Sequence, residues 1–169
     1  MKIVQILLCF ILTSHIILAQ IDHAATVITV HDGDSYRVRF KSDSTYAWIR
    51  LVSVDCPEVI SNKIKKNQPM GIEIGNEIRS MISGRDVIIR TYGYDGYGRL
   101  LSQCIYNDTV DLSEYILSHG YGVYISSKIH PVVRKHYKEV RTKARLNKVG
   151  IWNDDKFITP YLWRKKYKK

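Results

Sequence analysis

Residues 25–40 read ATVITV-HDGD-SYRVRF and decide the first part of the fold. The two ends of this stretch, residues 25–30 and 35–40, are rich in β-branched residues or alternate between apolar and polar residues, which is typical of strands. The four residues between them include Asp32-Gly33-Asp34, and an Asp-Gly pair favours a tight turn. This stretch therefore predicts a β-hairpin that presents two aspartates at its turn.

Three further strands are predicted along the chain. Residues 46–54 (YAWIRLVSV) alternate, so that Arg50 shares a face with large apolar residues. That is an unusual position for a guanidinium without an anion nearby. Residues 86–92 and 100–106 are the other two strands, and a glycine-rich turn at residues 93–98 joins them.

Three helices are predicted from apolar residues at helical spacing and from stop signals. The first ends before Gly84, the second covers residues 113–119, and the third covers residues 131–148. The apolar stripe of the first helix consists of Ile74, Ile78, Met81 and Ile82, and that of the third consists of Val133, Tyr137, Val140 and Ala144.

Five strands with helices between and after them favour an α+β fold, a five-stranded Greek-key barrel of the OB type with three helices. We expect one domain, residues 21–169, with a basic C-terminal tail. The polar, aperiodic residues 59–68 predict a mobile loop, and residues 164–169 are predicted to be frayed. Residues 151–152 (Ile-Trp) are expected to pack back on the domain.

The positive charge of the chain is concentrated near its C-terminus. Residues 128–169 contain 14 Lys and Arg against 3 Asp and Glu, whereas the rest of the chain has a net charge of −1. Such asymmetry suits a polyanionic partner, either nucleic acid or an anionic membrane surface. A merely solvated helix and tail is the alternative. With 45% apolar and 25% charged residues, the chain is not typical of disordered or fibrous proteins.

The first 20 residues differ from the rest. They contain one charged residue, Lys2, followed by an apolar run that is short for a membrane span, and no basic cluster follows it. Residues 1–20 therefore predict a cleaved export signal, with a retained anchor as the alternative. We expect a secreted or periplasmic protein, either free or associated with the surface, without a membrane span after processing. The remaining cysteines, Cys56 and Cys104, are expected to be unpaired thiols, although one disulfide is arithmetically possible.

Three short clusters carry the chemistry: residues 32–35 (DGDS), 50–58 (RLVSVDCPE) and 95–99 (DGYGR). Each is weak alone, because Asp-Gly is common in turns and a lone strand arginine usually forms a surface salt bridge. Together and in this order they resemble the staphylococcal nuclease (thermonuclease) family. That family shows Asp-Gly-Asp-Thr, then Arg-Leu followed by Asp-x-Pro-Glu, then Asp-x-Tyr-Gly-Arg. The likeness continues through residues 68–69, 119–121 and 144–152, so it spans nearly all of the chain after the signal.

The resemblance implies an OB barrel that binds one Ca²⁺ and cleaves DNA and RNA, leaving 3′-phosphate ends. Asp34 and Asp55 resemble its carboxylate ligands, and the backbone carbonyl of Cys56 resembles a third ligand. Calcium prefers such hard oxygens. Asp32 is expected to lie behind these ligands, because two carboxylates separated by one residue rarely both reach one ion from a tight turn. Ser35 and Cys56 replace the threonines of the family pattern, and neither change removes a carboxylate or an arginine. Cys56 is expected to pack, with a redox role as the alternative.

The resemblance also implies roles for three catalytic residues. Glu58 resembles the glutamate that orients or deprotonates the attacking water. Arg50 and Arg99 can each fork onto phosphate oxygens, Arg50 to hold the phosphate and Arg99 to assist the leaving oxygen. The candidate substrate-binding residues, which could stack on or hydrogen-bond a nucleotide, are Tyr97, Tyr121 and Tyr124. No histidine has the spacing of a zinc ligand. We expect a monomer with DNA and RNA as substrates.

Two other classes of protein remain open. A non-catalytic module of the same fold would bind nucleic acid or a protein, but such a module is expected to lose carboxylates or arginines that are all present here. A basic surface-binding protein would explain the C-terminal charge but not the three clusters.

Overall fold

The computed structural model describes residues 22–127 and 129–169, and it contains eight strands and four α-helices within these ranges. The strands are β1 (Asp22–Val30), β2 (Ser35–Phe40), β3 (Tyr46–Leu51), β4 (Val54–Asp55), β5 (Asp86–Tyr94), β6 (Leu100–Tyr106), β7 (Val110–Asp111) and β8 (Val123–Tyr124). The helices are α1 (Gly71–Ile82), α2 (Leu112–Ser118), α3 (Pro131–Leu146) and α4 (Pro160–Tyr167), with a 3₁₀ helix at Gly150–Asn153.

The five long strands form a closed barrel. β1 pairs antiparallel with β2 and with β5, β2 pairs antiparallel with β3, and β5 pairs antiparallel with β6. The barrel closes where β3 runs parallel to β6, with Ile49 opposite Leu100. The short β7 extends the sheet beyond β6, and β4 pairs with β8 in a separate two-stranded sheet. The predicted α+β barrel of five strands is confirmed.

Alternation along the strands fills the barrel with apolar side chains. Val27, Val38, Ile49 and Ile89 are fully buried, and the helices add further apolar residues to the same core. Each such side chain stabilises the fold by about 1.5–3 kcal/mol. The two predicted helix stripes are confirmed: the residues of the α1 stripe are buried or partly buried, and so are those of the α3 stripe.

The predicted third strand is interrupted, because the chain turns sharply after Leu51. Ser53 adopts a left-handed backbone conformation with φ 64°. The carbonyl of Val52 accepts a hydrogen bond from Ser113 Oγ at 2.9 Å, which ties the turn to the start of α2. The chain then continues as β4, where Asp55 pairs with Val123 of β8. A positive φ at serine is a local feature that alternation could not reveal.

The structure corrects the prediction of a frayed C-terminus. Residues 160–167 form the fourth helix, α4, which was not predicted. Thr159 caps it, because its side chain accepts a hydrogen bond from Leu162 N at 3.4 Å, and Pro160 occupies the first turn. A Thr-Pro pair is a known start signal for helices. The predicted packing of residues 151–152 is confirmed for Ile151, which is fully buried.

The predicted loop at residues 59–68 contains no helix or extended strand, as expected. Two of its side chains, Ile64 and Gln68, are nevertheless buried. Gln68 Nε2 donates to the carbonyl of Ile158 at 2.7 Å, so the loop is tied to the segment that precedes α4.

In the part of the chain that the structure describes, no helix has both the length and the apolar character needed to cross a membrane. The predicted export signal, residues 1–20, lies outside the described residues.

Candidate active site

Asp34 lies in the turn between β1 and β2, and the surrounding turn is closely packed. Its side chain is only 3% exposed, and its Oδ2 accepts a hydrogen bond from the backbone N–H of Cys56 at 2.6 Å. Ser35 Oγ donates to the other oxygen, Oδ1, at 3.1 Å. Gly33 allows Cys56 and Ile74 to lie this close to the turn, since a Cβ at residue 33 would be 2.8 Å from Cys56 Sγ and 2.9 Å from Ile74 Cγ2.

Arg50, at the end of β3, joins the two predicted carboxylate ligands. Its Nη1 forms an ion pair with Asp34 Oδ1, and its Nη2 donates to Asp55 Oδ1 at 2.6 Å. The side chains of Asp34 and Asp55 are each 3% exposed, and that of Arg50 is 12% exposed. Because one planar guanidinium contacts both carboxylates, it holds Asp34 and Asp55 close to each other.

Glu58 lies just after Pro57 in the loop that follows β4. Its backbone N–H donates to Gln68 Oε1 at 3.2 Å, and its carbonyl accepts from Gln68 N–H at 2.8 Å. Burial raises the pKa of the Glu58 carboxyl, and the nearby charges of Asp32 and Asp55 act in the same direction, against the hydrogen bond and charge of Arg164.

Arg99 reaches the same cluster from the turn between β5 and β6. Its Nη1 donates to Ser35 Oγ at 2.9 Å, and that hydroxyl is also bonded to Asp34. Asp95 holds Arg99 from the other side, because its Oδ2 accepts from Arg99 Nε at 2.7 Å. The second oxygen of Asp95 accepts from the backbone N–H of Tyr97 at 2.8 Å, so one aspartate orders both the turn and the arginine.

Asp32 lies beside this cluster. Its Oδ1 accepts a hydrogen bond from the backbone N–H of Asp34 at 3.1 Å, an arrangement that stabilises the turn. Burial raises the pKa of the Asp32 carboxyl, whereas the charges of Arg50 and His31 lower it.

The side chain of Cys56 is part of the apolar core. It is 3% exposed and packs against Gly33 and Gly122. Burial raises the pKa of its thiol well above the ordinary value, so a thiolate ligand is disfavoured there. Cys104 is also buried, and neither thiol is paired in the structure. Only the backbone of Cys56 therefore suits the predicted role in binding an ion.

The described residues contain no group of three or more His, Cys, Asp or Glu side chains arranged to hold a metal. The predicted calcium ligands are two carboxylates and one carbonyl, a set that falls outside such a group. Both carboxylates are buried and contact the same guanidinium. Their hard oxygens fit Ca²⁺, which accepts carboxylate, carbonyl and water ligands in variable number.

The three predicted substrate-binding tyrosines lie in different surroundings. Tyr97 is 70% exposed beside Arg99, and Lys63 Nζ lies 3.5 Å from its ring centroid. Tyr121 belongs to an aromatic group at the end of α2, 5.5 Å from the ring of His119. Tyr124 lies in β8, and its buried hydroxyl has no hydrogen-bond partner among the described residues. Of the three, Tyr97 is the one in contact with a predicted catalytic residue.

Arg164, which was not predicted as a site residue, reaches the cluster from α4. Its two terminal nitrogens contact both oxygens of Asp55 at 2.9 and 3.0 Å, and Nη1 also donates to Glu58 Oε1 at 2.5 Å. The Thr159-Pro160 start signal could have identified its helix. The contacts of Arg164 with Asp55 and Glu58 join residues more than 100 positions apart in the sequence, so no local sequence pattern indicates them.

A five-stranded barrel of the OB type that brings two buried carboxylates together with arginines is the arrangement expected of a nuclease-like domain. Residues 48–154 match the family described as staphylococcal nuclease homologue. The chain belongs to this family. Its relatives include an "Uncharacterized endonuclease" of Escherichia coli, 30% identical over 143 residues that make up 82% of each chain.

Two eukaryotic relatives are more distant. "Endonuclease Htp3" of Saprolegnia parasitica is 28% identical over 152 residues, which are 79% of this chain and 72% of that protein. "Probable endonuclease LCL3" of Komagataella phaffii is 29% identical over 126 residues, 71% of this chain and 55% of that protein. The resemblance inferred from the three clusters is confirmed.

Proposed function

We propose that this protein is a calcium-dependent nuclease that hydrolyses phosphodiester bonds within DNA and RNA and leaves 3′-phosphate ends. The observation that carries the proposal is the pair of buried carboxylates, Asp34 and Asp55, joined by Arg50 and linked through Ser35 to Arg99. Membership of the nuclease family and relatives that are named endonucleases support it.

Asp34, Asp55 and the carbonyl of Cys56 would hold the ion. When bound, Ca²⁺ would supply positive charge beside the scissile phosphate. Two buried carboxylates also explain why the arginines are needed, because a buried anion without a partner is strongly destabilising.

The remaining residues would divide the chemistry. Glu58 would orient a water molecule and accept its proton as the water oxygen attacks phosphorus. Arg50 and Arg99 would donate to the phosphate oxygens as negative charge accumulates on them. The bond from phosphorus to the 5′-oxygen would break, and the departing 5′-oxygen would take up a proton from solvent while Glu58 releases its proton to solvent. The phosphate stays on the 3′-oxygen, and a hydroxyl is left at the 5′ position.

The position of Tyr97 supports a role in binding the substrate. An exposed aromatic ring between Lys63 and Arg99 offers both a stacking surface for a base and positive charge for the backbone. Tyr121 and Tyr124 remain candidates for the same role.

We also propose that the protein acts outside the cytoplasm, on the basis of the export signal predicted for residues 1–20. Expression of the full chain in a bacterial host, followed by fractionation and N-terminal sequencing, tests this point. Retention of residues 1–20 on a cytoplasmic product would contradict it.

The activity is tested by incubating the purified protein, residues 21–169, with single-stranded DNA, duplex DNA and RNA in calcium, in magnesium or in chelator. We expect cleavage in calcium and none in magnesium alone or chelator, because Mg²⁺ demands stricter octahedral geometry. Asp34→Ala and Asp55→Ala should abolish cleavage. Asp155→Ala, which removes a carboxylate that is 89% exposed, is the matched control. Full turnover in chelator would refute the calcium requirement. Nucleic-acid binding without cleavage in any condition would favour the non-catalytic module.

A further inference from the structure

The C-terminal helix α4 is held firmly against the loop that carries Glu58. Trp163 is buried, and its indole N–H donates to the carbonyl of Lys66 at 2.9 Å. Gln68 bonds to the backbone of Glu58 at one side and to the carbonyl of Ile158 at the other. The segment that precedes α4 and the backbone of Glu58 therefore share one buried side chain.

The end of α4 is tied to the same loop by its backbone. Lys65 N–H donates to the carbonyl of Tyr167 at 3.0 Å, and Lys169 N–H donates to the carbonyl of Lys63 at 2.9 Å. Ile64 and Lys168 form an antiparallel bridge between these two bonds. Helix and loop thus form one unit, which fixes the position from which Arg164 extends.

From that position Arg164 contacts two different carboxylates. It binds Asp55 with both terminal nitrogens and Glu58 with one of them. Its side chain is 37% exposed, so the guanidinium lies at the surface of the cluster and not beneath it. Burial lowers the pKa of Arg164, but hydrogen bonds and charge from Asp55 and Glu58 raise it by more, so the guanidinium stays charged.

We propose that Arg164 is a positioning residue for the nuclease reaction, acting through Glu58 and Asp55. The inference rests on the proposed function. By holding one oxygen of Glu58, Arg164 restricts the rotation of that carboxylate and leaves its other oxygen to face the water. By pairing with Asp55, it places positive charge beside the calcium site and weakens the attraction of that site for the ion. The helix α4 is therefore part of the active site and is more than a basic tail.

Two opposite effects follow from the removal of Arg164. Turnover should fall because Glu58 loses the donor that orients it. Calcium affinity should rise because Asp55 is released and one neighbouring positive charge disappears. A merely structural role for Arg164 would not separate these quantities in opposite directions.

The test compares Arg164→Gln, Arg164→Lys and the control Lys165→Gln. The control removes one charge from an exposed neighbouring position on the same helix. Calorimetry without nucleic acid gives the calcium affinity, initial rates on single-stranded DNA give kcat and KM, and circular dichroism verifies folding. For Arg164→Gln we expect kcat to fall about tenfold to a hundredfold, the effect of one lost charge-assisted hydrogen bond, with KM changed less than about threefold. Calcium should bind about threefold to tenfold more tightly.

Arg164→Lys should fall between Arg164→Gln and the wild type in both measurements, because one ammonium keeps the charge but cannot bind Asp55 and Glu58 in the same fork. If Arg164→Gln does not fold, Arg164→Lys decides the question alone. Lys165→Gln should keep the wild-type kcat. Cleavage by Arg164→Gln at or above the wild-type rate would overturn the proposal and identify Arg164 as an obstruction. Unchanged or weaker calcium binding would also overturn it. An inactive wild type would instead refute the proposed function.

Discussion

Replacement of Arg50 by lysine tests whether two buried carboxylates depend on one planar guanidinium. Lysine keeps the charge but has a single nitrogen, so it cannot reproduce the two separate contacts that Nη1 and Nη2 of Arg50 make with Asp34 and Asp55. The loss of one hydrogen bond to a charged group costs about 1.5–3 kcal/mol. Asp55 retains Arg164, and Asp34 retains the backbone N–H of Cys56. These remaining donors place the expected loss of unfolding free energy at about 1–2 kcal/mol.

The effect on catalysis should be larger than the effect on stability. We expect kcat of Arg50→Lys to fall by about 10² or more, as the loss of a preorganised transition-state donor does. Arg99→Lys is the comparison. It should lower kcat similarly but change stability by less than about 0.5 kcal/mol, because Arg99 is 27% exposed and pairs with Asp95 at a surface turn.

The assay is thermal unfolding without calcium, together with initial rates on single-stranded DNA. A loss of 1–2 kcal/mol corresponds to a decrease in Tm of about 2–8 °C for a domain of this size. Saturating calcium should restore part of the lost stability, since a ligand that binds only the folded state raises Tm. Arg50→Lys with an unchanged Tm and a kcat within about twofold of wild type would refute the assigned role of the guanidinium.

Two further predictions address the water-activating carboxylate and the packing behind the site. Glu58→Gln should lower kcat by about 10²–10⁴. Calcium affinity by calorimetry should fall by no more than about tenfold, because the Glu58 charge lies near Asp55 but Glu58 is not assigned as a ligand; complete loss of calcium binding would contradict this assignment. Gly120→Ala should lower the unfolding free energy by more than about 3 kcal/mol in urea titrations, since Gly120 has φ +62° and a Cβ there would lie 2.1 Å from the carbonyl of Val149. Gly96→Ala, where a Cβ meets nothing within 4 Å, is its control and should change little.

The barrel was predictable because its strands obey local rules. The alternation of residues 25–40 gave the hairpin, and the turn between β5 and β6 followed from its glycines. The interruption of the third strand was not predictable in the same way. It depends on the positive φ of Ser53 and on the bond from Ser113 to Val52, which joins residues 61 positions apart.

The residues of the candidate site likewise divide into those that the sequence motifs predict and one that they do not. Asp34, Arg50, Asp55 and Glu58 could be named from the order of their motifs, and the structure brings them together. Arg164 could not be found in that way, because its contacts with Asp55 and Glu58 arise only when α4 packs on the loop. The run of basic residues around it resembles an ordinary solvated tail, and charge alone does not distinguish the one arginine that turns inward.

The way the barrel closes sets the relative positions of Arg50, Arg99 and Asp34. In the parallel pairing of β3 with β6, Arg50 lies opposite Leu101, two residues beyond Arg99, so the closing strands set the spacing of the two arginines. Asp34 is fixed to the same point, since its carbonyl accepts from Leu51 N–H at 2.9 Å. Arg50 lies in a barrel strand, and Asp34 and Arg99 lie in turns that join barrel strands. A shift in strand register would displace these residues and disrupt the core. Glu58 lies instead on the loop packed against α4. The site is thus assembled from the barrel and from the loop packed against α4, and Asp55 is bound both by Arg50 of the barrel and by Arg164 of α4.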